Sequence, residues 1–397
     1  MKVNVKCSLL MAAYYSFHCV LLSYVAYYLG ALGIPDLHIS LVVSGACALG
    51  GIMQIVAGRI ADRSHRWNWK KILVLCSFLE LAVALLRILI PGTLWWQSAA
   101  YGLMIVIQLL MMPLVNLSGF DYSSKGMHVN FGIVRGFGSA AFAAASFIAG
   151  KLTDHHGPDS VPVISAVLCA ALVAVVLIMP EPGSGLPEVQ TTKKEPDSSG
   201  QNKIKITAFV RKYPVFFVMV IGQVFMFVFH NMLNTFLIRV IENVGGGSAE
   251  LGIALAVAAA AELPILFLYS RISGLIKPSK KLIVLSCAFF VVRAVLYLLA
   301  ADVMMIYLIQ LLQSVTYGLM IAAKATYADE SMDQEDKATG QALMTFSDAF
   351  GAVAGVFIGG LLLDQGGTAF MLWGGVLIAA AGTIITICAS AMRQKPD

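Results

Sequence analysis

The chain has 397 residues, of which 59% are hydrophobic and 12% charged, with a mean hydropathy of +0.82 and a formal net charge of +5. A soluble domain carries about 25% charge, so this chain has too little polar surface to cover itself in water, and lipid is its solvent. The cations are spread over separate short segments rather than gathered in one patch, which excludes a nucleic-acid partner.

In chain order, apolar segments fall at 8–29, 40–60, 71–91, 95–118, 131–150 and 161–180. Each has the roughly 20 residues that a helix needs to cross a hydrocarbon core about 30 Å thick. The first is too long for the core of a signal peptide, and no small-residue cleavage site follows it. A polar stretch, 181–212, comes next, rich in Pro, Gly, Ser and charge, and it reads as a flexible linker. Six further apolar segments follow at 213–238, 250–270, 281–300, 303–324, 339–362 and 368–391. The expected architecture is an all-α integral membrane fold of twelve spanning helices. Residues 1–180 form one six-helix half, 181–212 a cytoplasmic linker and 213–397 the second half.

The loops sort into two sets. Those on the side of the termini hold 22 of the 27 Lys and Arg, with Lys324 counted in the 324–338 loop. The other side holds Lys151 and Arg239, while Arg87, Arg135 and Arg293 lie in or at the ends of apolar segments. The positive-inside rule places both termini in the cytoplasm of a multi-pass protein of the cell membrane. The seven cysteines are scattered through apolar segments without paired spacing. They read as small buried hydrophobes, with no disulfide framework, metal site or cofactor expected. No P-loop and no catalytic motif is present, so the chain is not expected to be an enzyme.

The two halves look related. FIAGKLTDHHG at 147–157 and FIGGLLLDQGG at 357–367 share Phe-Ile-x-Gly-x-Leu-x-Asp and a later Gly, at the ends of the fifth and eleventh segments. GRIADRSHRWNWKK at 58–71 supplies Gly58 for close helix approach, and Asp62 and Arg63 at a helix end, where charge contacts can gate the cytoplasmic side. With the paired halves, this motif resembles the signature of the major facilitator superfamily. NFGIVRGFG (130–138), AELPILF (261–267), VVRAVLYLLA (291–300) and the 313–342 stretch resemble the group of lactose permeases, phenylpropionate permeases and nucleoside–proton symporters. The resemblance covers essentially the whole chain.

An ionisable group in a membrane is costly and therefore needs a reason. Glu80, Arg87, Glu262 and Arg293 all lie in apolar runs. Glu262 follows a small-residue stretch. A carboxyl group there suits a proton carrier, since low dielectric favours the neutral acid, although a permanent structural pair with an arginine is the plain alternative. Arg293 is either a coupling partner or half of a fixed bridge. Glu80 and Arg87 share a helix face two turns apart and are candidates for coupling or for an internal network. The resemblance makes Arg135 a substrate-contacting residue. Its usual glutamate partner on the fourth segment is replaced near Asn116, which speaks against a galactoside site. The group's His and Glu on the tenth segment have only Gln310, Gln313 and Ser314 nearby. Tyr14, Tyr15 and His18 on the first segment, and His230, Asn231 and Asn234 on the seventh, are further candidates for a central cavity.

The resulting expectation is proton-coupled uptake, by alternating access, of a small polar solute such as an oligosaccharide, nucleoside or aromatic acid, carried out by a monomer in the bilayer. A multidrug or metabolite exporter, or a transport-inactive sensor, would share the fold.

Overall fold

The computed structural model describes residues 3–63, 67–90, 92–124, 127, 129–181 and 206–392, without the side chains of 59, 61–63, 124, 131, 206–208 and 266. Among the described residues the only regular structure is helical. The first half contains α1 (Val3–Ser23), α2 (Val25–Ala31), α3 (Asp36–Arg63), α4 (Trp69–Leu89), α5 (Leu94–Ser124), α6 (Phe131–His156) and α7 (Ser160–Ile178). The second contains α8 (Ile206–Lys212), α9 (Pro214–Thr235), α10 (Leu237–Asn243), α11 (Ser248–Leu275), α12 (Lys280–Leu298), α13 (Val303–Gln310), α14 (Leu319–Ser331) and α15 (Lys337–Ala391).

Side-chain caps set several starts. Asn68 accepts from the Lys71 amide at 2.9 Å, Asn130 from that of Ile133 at 3.1 Å, and Asp302 from that of Met305 at 2.8 Å. Each satisfies one of the amides that a first turn leaves unpaired.

Among the described residues, eleven helical stretches are long and apolar enough to span, with Val303–Ser331 counted as one. The 55 residues of α15 would reach about 80 Å if straight, far more than one crossing needs. Gly367, at φ 70°, breaks it. Before that break, Gly351, Gly355 and Gly359 meet Phe227, Val228 and Met232 of α9 in parallel order; after it, Gly375, Gly382 and Thr386 meet Phe229, Met226 and Gly222 in antiparallel order. The chain has therefore reversed, and the expected twelve crossings are present. The seventh span breaks at Phe236, and the first at Tyr24, so each is a long helix continued by a short one.

Two expectations change. The linker was expected to run to residue 212, but its last seven residues form α8. Lys212 bridges to Asp333 and Asp336 at 2.7 Å each, and the Tyr213 hydroxyl donates to Asp333 at 2.9 Å and to Asp336 at 2.8 Å. Hydrogen bonds to Lys212 hold both aspartates below the usual carboxylate range and push the lysine up. The second change concerns Lys324. It is not in a loop but is buried within α14.

The halves approach most closely at the end away from the termini. A Cβ on Gly150 of α6 would stand 2.8 Å from the Ser248 carbonyl and 2.9 Å from the Gly252 Cα of α11. One on Gly360 of α15 would meet Ser40 and stand 2.7 Å from the Asp36 carbonyl of α3. Only glycine admits such crossings. At the same end Arg239 donates to Asp36 at 2.9 and 3.0 Å and to Glu242 at 2.9 Å. Among the described residues these Arg239–Asp36 bonds are the only hydrogen bonds between the halves. At the end of the termini, the ion pairs seen among the described residues stay within one half, as with Lys70–Glu181 at 2.8 Å.

Candidate functional site

Between the halves lies a cavity of about 360 Å³. Its walls follow helical spacing. Tyr15, His18 and Leu22 come from α1, and Arg135, Ser139 and Phe142 from α6. From the second half, α9 gives His230, Asn231 and Asn234; α11 gives Leu255, Ala258, Ala259 and Glu262; α15 gives Ala352 and Val356. α3 adds Val43 and Cys47, α5 adds Leu109 and Met112, and the tenth span adds Gln313 and Tyr317, where α13 tightens into a single turn, Leu311–Gln313, and then widens over Ser314–Gly318 into five-residue hydrogen bonding before α14. Such widened turns recur at functional sites.

Glu262 is the only carboxylate among the described lining residues. It accepts from the Gln313 side-chain amide at 2.8 Å. The Gln313 oxygen in turn accepts from Arg293. Arg293 is completely buried behind the wall, and also donates to Gln310 at 2.8 Å and to Thr316 at 3.4 Å. The result is a chain Glu262–Gln313–Arg293–Gln310, in which a neutral amide separates the acid from the guanidinium.

Arg135 faces the cavity with its guanidinium 4.3 Å above the Tyr15 ring. Among the described residues no carboxylate pairs with it. His230 stacks on Tyr317 at 4.4 Å and 9°, and its Nε2 lies 2.9 Å from the Asn234 amide. Asn231 donates to the Phe227 carbonyl at 2.8 Å. The buried His18 Nδ1 has no hydrogen-bond partner in the structure.

The structure therefore brings Arg135, His18, His230, Asn231, Asn234 and Glu262 to one cavity, and places Arg293 one residue behind it. It does not bring the others there. Tyr14 is buried inside the first half, where its hydroxyl donates to the Gln108 carbonyl at 2.8 Å. Asn116 lies on α5 one turn beyond the lining residue Met112 and is not part of the wall. Arg87 is buried within the first half, 5.1 Å from the Tyr28 ring and 4.5 Å from that of Tyr101, and donates to Gln97 at 3.3 Å. Glu80 is wholly buried on α4, and among the described residues neither of its oxygens has a hydrogen-bond partner. Gly58 was expected at a tight helix crossing, but among the described residues nothing lies within 4 Å of where its Cβ would stand. The side chains of Asp62 and Arg63 lie outside the described residues.

One pair was not anticipated. Lys324 bonds both oxygens of Asp348 on α15. Lys324 had been counted with the loop cations, and Asp348 is a single acid in an otherwise apolar run. Their partnership joins different helices, so no spacing in the sequence announces it.

Residues 5–373 match a family profile described as the MFS_1 like family. No curated protein sequence matches the chain. Among solved structures, the chain is similar to the nucleoside transporter NupG in its D323A form, with a TM-score of 0.82, 14% identity, and 99% of this chain and 100% of that one covered. It is also similar to the peptide transporter POT, E310Q form, in complex with alafosfalin, with a TM-score of 0.76, 12% identity, and 98% and 93% covered. A bacterial homolog of the human lysosomal transporter Spinster, inward-facing and occupied, superposes with a TM-score of 0.71, 14% identity, and 100% and 98% covered. At these identities the similarity is one of fold.

Proposed function

The chain belongs to the MFS_1 like family and is a membrane transporter of the major facilitator fold, and from that premise we propose that it takes up a small polar solute together with protons. The observation that carries the reading is Glu262, a carboxylate in the cavity wall that is held by a neutral amide rather than by a cation. Protonation removes its charge while leaving Gln313 able to donate to the remaining carbonyl oxygen. The change in charge is felt in the cavity and across the wall at Arg293. A proton or solute shifts the balance between two open states only by binding them unequally. Glu262 can do so, because its surroundings change as the halves rock around a midplane site.

The cation distribution supports termini in the cytoplasm, and with that orientation the closed end of the bundle faces outward and the cavity is reached from inside. Arg135 supports an anionic group on the solute, since a guanidinium without an acid partner is a site for a carboxylate. Of the solutes the sequence allows, an aromatic acid fits best: the carboxylate at Arg135, and the body among Tyr15, Phe142 and the His230–Tyr317 stack. Asp62 and Arg63 belong to the inner gate in this reading, and the working unit is a monomer. The domain division at the 181–212 stretch, with α8 as the start of the second half, follows the same plan.

The test is uptake into proteoliposomes under an imposed inward proton gradient, with labelled phenylpropionate, uridine and lactose as probes. Accumulation that collapses with a protonophore, and that is lost in Glu262→Gln while exchange without a gradient persists, is the expected result. Full accumulation by Glu262→Gln removes Glu262 from the mechanism. Movement of dyes in the opposite direction, with none of the probes taken up, turns the assignment to an exporter.

A further inference from the structure

Asp348 lies on the same face of α15 as the lining residues Ala352 and Val356, one turn closer to the end of the termini. That is about 6 Å along the helix. Its partner Lys324 lies two turns below Tyr317 on α14. The two side chains are unequally placed. Lys324 is 8% exposed and Asp348 is 33% exposed, so the acid is the more accessible member of the pair. The groups facing them carry no charge: the Phe227 ring 4.6 Å from Lys324 Nζ, the Met344 carbonyl at 3.4 Å, and the Ser347 hydroxyl 3.4 Å from Asp348. Tyr317 and Glu262 share the cavity wall. A buried ion pair is weak evidence for stability, because the cost of dehydrating two charges offsets most of their attraction. A partly exposed carboxylate one turn from the cavity wall, paired across two helices, therefore calls for a role beyond holding them together.

We infer that Asp348, held by Lys324, is a second proton station between Glu262 and the solution at the end of the termini. The inference rests on the proton-coupled reading above. In the step, neutral Glu262 gives its proton, through the Tyr317 hydroxyl or water in the cavity, to ionised Asp348. Glu262 becomes a carboxylate and Asp348 a neutral acid, and Asp348 then gives the proton to water. Lys324 remains an ammonium throughout. While Asp348 is neutral, Lys324 has lost its counter-ion inside the bundle, so the neutral state is short-lived and the proton moves on.

The test follows the protonated-carboxyl infrared band of the reconstituted protein after a pH jump, with no solute present. The Glu262 band is the one missing from Glu262→Gln. Its relaxation is expected to slow at least tenfold in Asp348→Asn and to recover in Asp348→Glu. The double variant Lys324→Met/Asp348→Asn removes both charges together, leaves no unpaired lysine to unfold the bundle, and is expected to stay slow. Relaxation at the native rate in the double variant overturns the inference and leaves the role of Glu262 standing. Absence of any titrating Glu262 band in the native protein overturns the proton-coupled reading itself, and the station with it.

Discussion

Glu262 and Arg293 do not touch: Gln313 stands between them, donating to the acid at 2.8 Å and accepting from the guanidinium. The two charges therefore communicate through an amide dipole, and Glu262 can gain or lose a proton without breaking a direct ion pair. Gln313→Leu removes the link from both sides. Arg293 keeps Gln310 and Thr316 but loses one acceptor inside the bundle, which costs on the order of 1–3 kcal/mol. Thermal unfolding in detergent should fall accordingly, and the infrared band of Glu262 should shift. An unchanged band would mean that the amide does not tune the acid.

Arg135 should set the charge preference of the cavity. Its guanidinium rests on Tyr15, and among the described residues no carboxylate pairs with it. A charge-assisted hydrogen bond contributes about 1.5–3 kcal/mol, equivalent to roughly tenfold to a hundredfold in affinity. Arg135→Gln is therefore expected to weaken binding of phenylpropionate by at least tenfold, read by calorimetry, with uridine affected little. Equal losses for both probes would show that Arg135 shapes the cavity rather than reading charge.

The outer closure should be adjustable in two sizes. Asp36 and Arg239 are each 21% exposed, so their pair contributes at most about 1 kcal/mol after screening. Asp36→Asn should move the balance of states only a few-fold. Gly360→Leu must push against the Ser40 side chain and the Asp36 carbonyl, and should hold the outer end open. Native Cys47 lines the cavity and reports the outcome. In a Cys388→Ser background, its alkylation by an impermeant maleimide from the side of the termini should slow slightly for Asp36→Asn and strongly for Gly360→Leu.

The clamp on α8 has a predictable pH window. Asp333 and Asp336 are held below their ordinary value by Lys212, so the stability they lend is present above the unfolded aspartate value of about 3.9 and is lost as pH falls through the lowered folded values. Lys212 is shifted up, so its contribution is complete below the unfolded lysine value of about 10.4 and is lost only as pH rises beyond it. Hydrogen exchange of the 206–212 amides, corrected for intrinsic rates, should be flat from pH 5 to 8, and protection should fail only in stronger acid. Lys212→Ala should abolish protection at every pH.

Much of this organisation was legible in the chain. Spanning segments declare themselves because lipid tolerates little else than long apolar helices. The shared Phe-Ile-x-Gly-x-Leu-x-Asp motif proves to be structural as well as ancestral in appearance. Gly150 and Gly360 occupy the two tight crossings between the halves, and Gly157 and Gly367 both take positive φ. Glu262 stood out as an acid after a run of alanines. Sequence reading fails where a partner comes from another helix. Glu80 and Arg87 share a helix face two turns apart, too far to touch directly; Arg87 turns to Gln97 and two tyrosines, and among the described residues Glu80 has no hydrogen-bond partner. Lys324 and Asp348 look unrelated, yet they meet. Gln313 has no charge to draw attention, and its bridging place depends on the tightened and widened turns around it.

The two glycine crossings also have a mechanical meaning. One joins α6 to α11 and the other α3 to α15, and both lie at the same end of the bundle. Two points of backbone contact define an axle. If the halves turn about it, the helix ends farthest from it sweep the widest arc, so a barely perceptible rotation at Gly150 and Gly360 becomes a wide displacement at the end of the termini. A lever of that kind is only as accurate as its bearing. A bearing whose glycine side is bare backbone has, on that side, no rotamer that can change to take up slack.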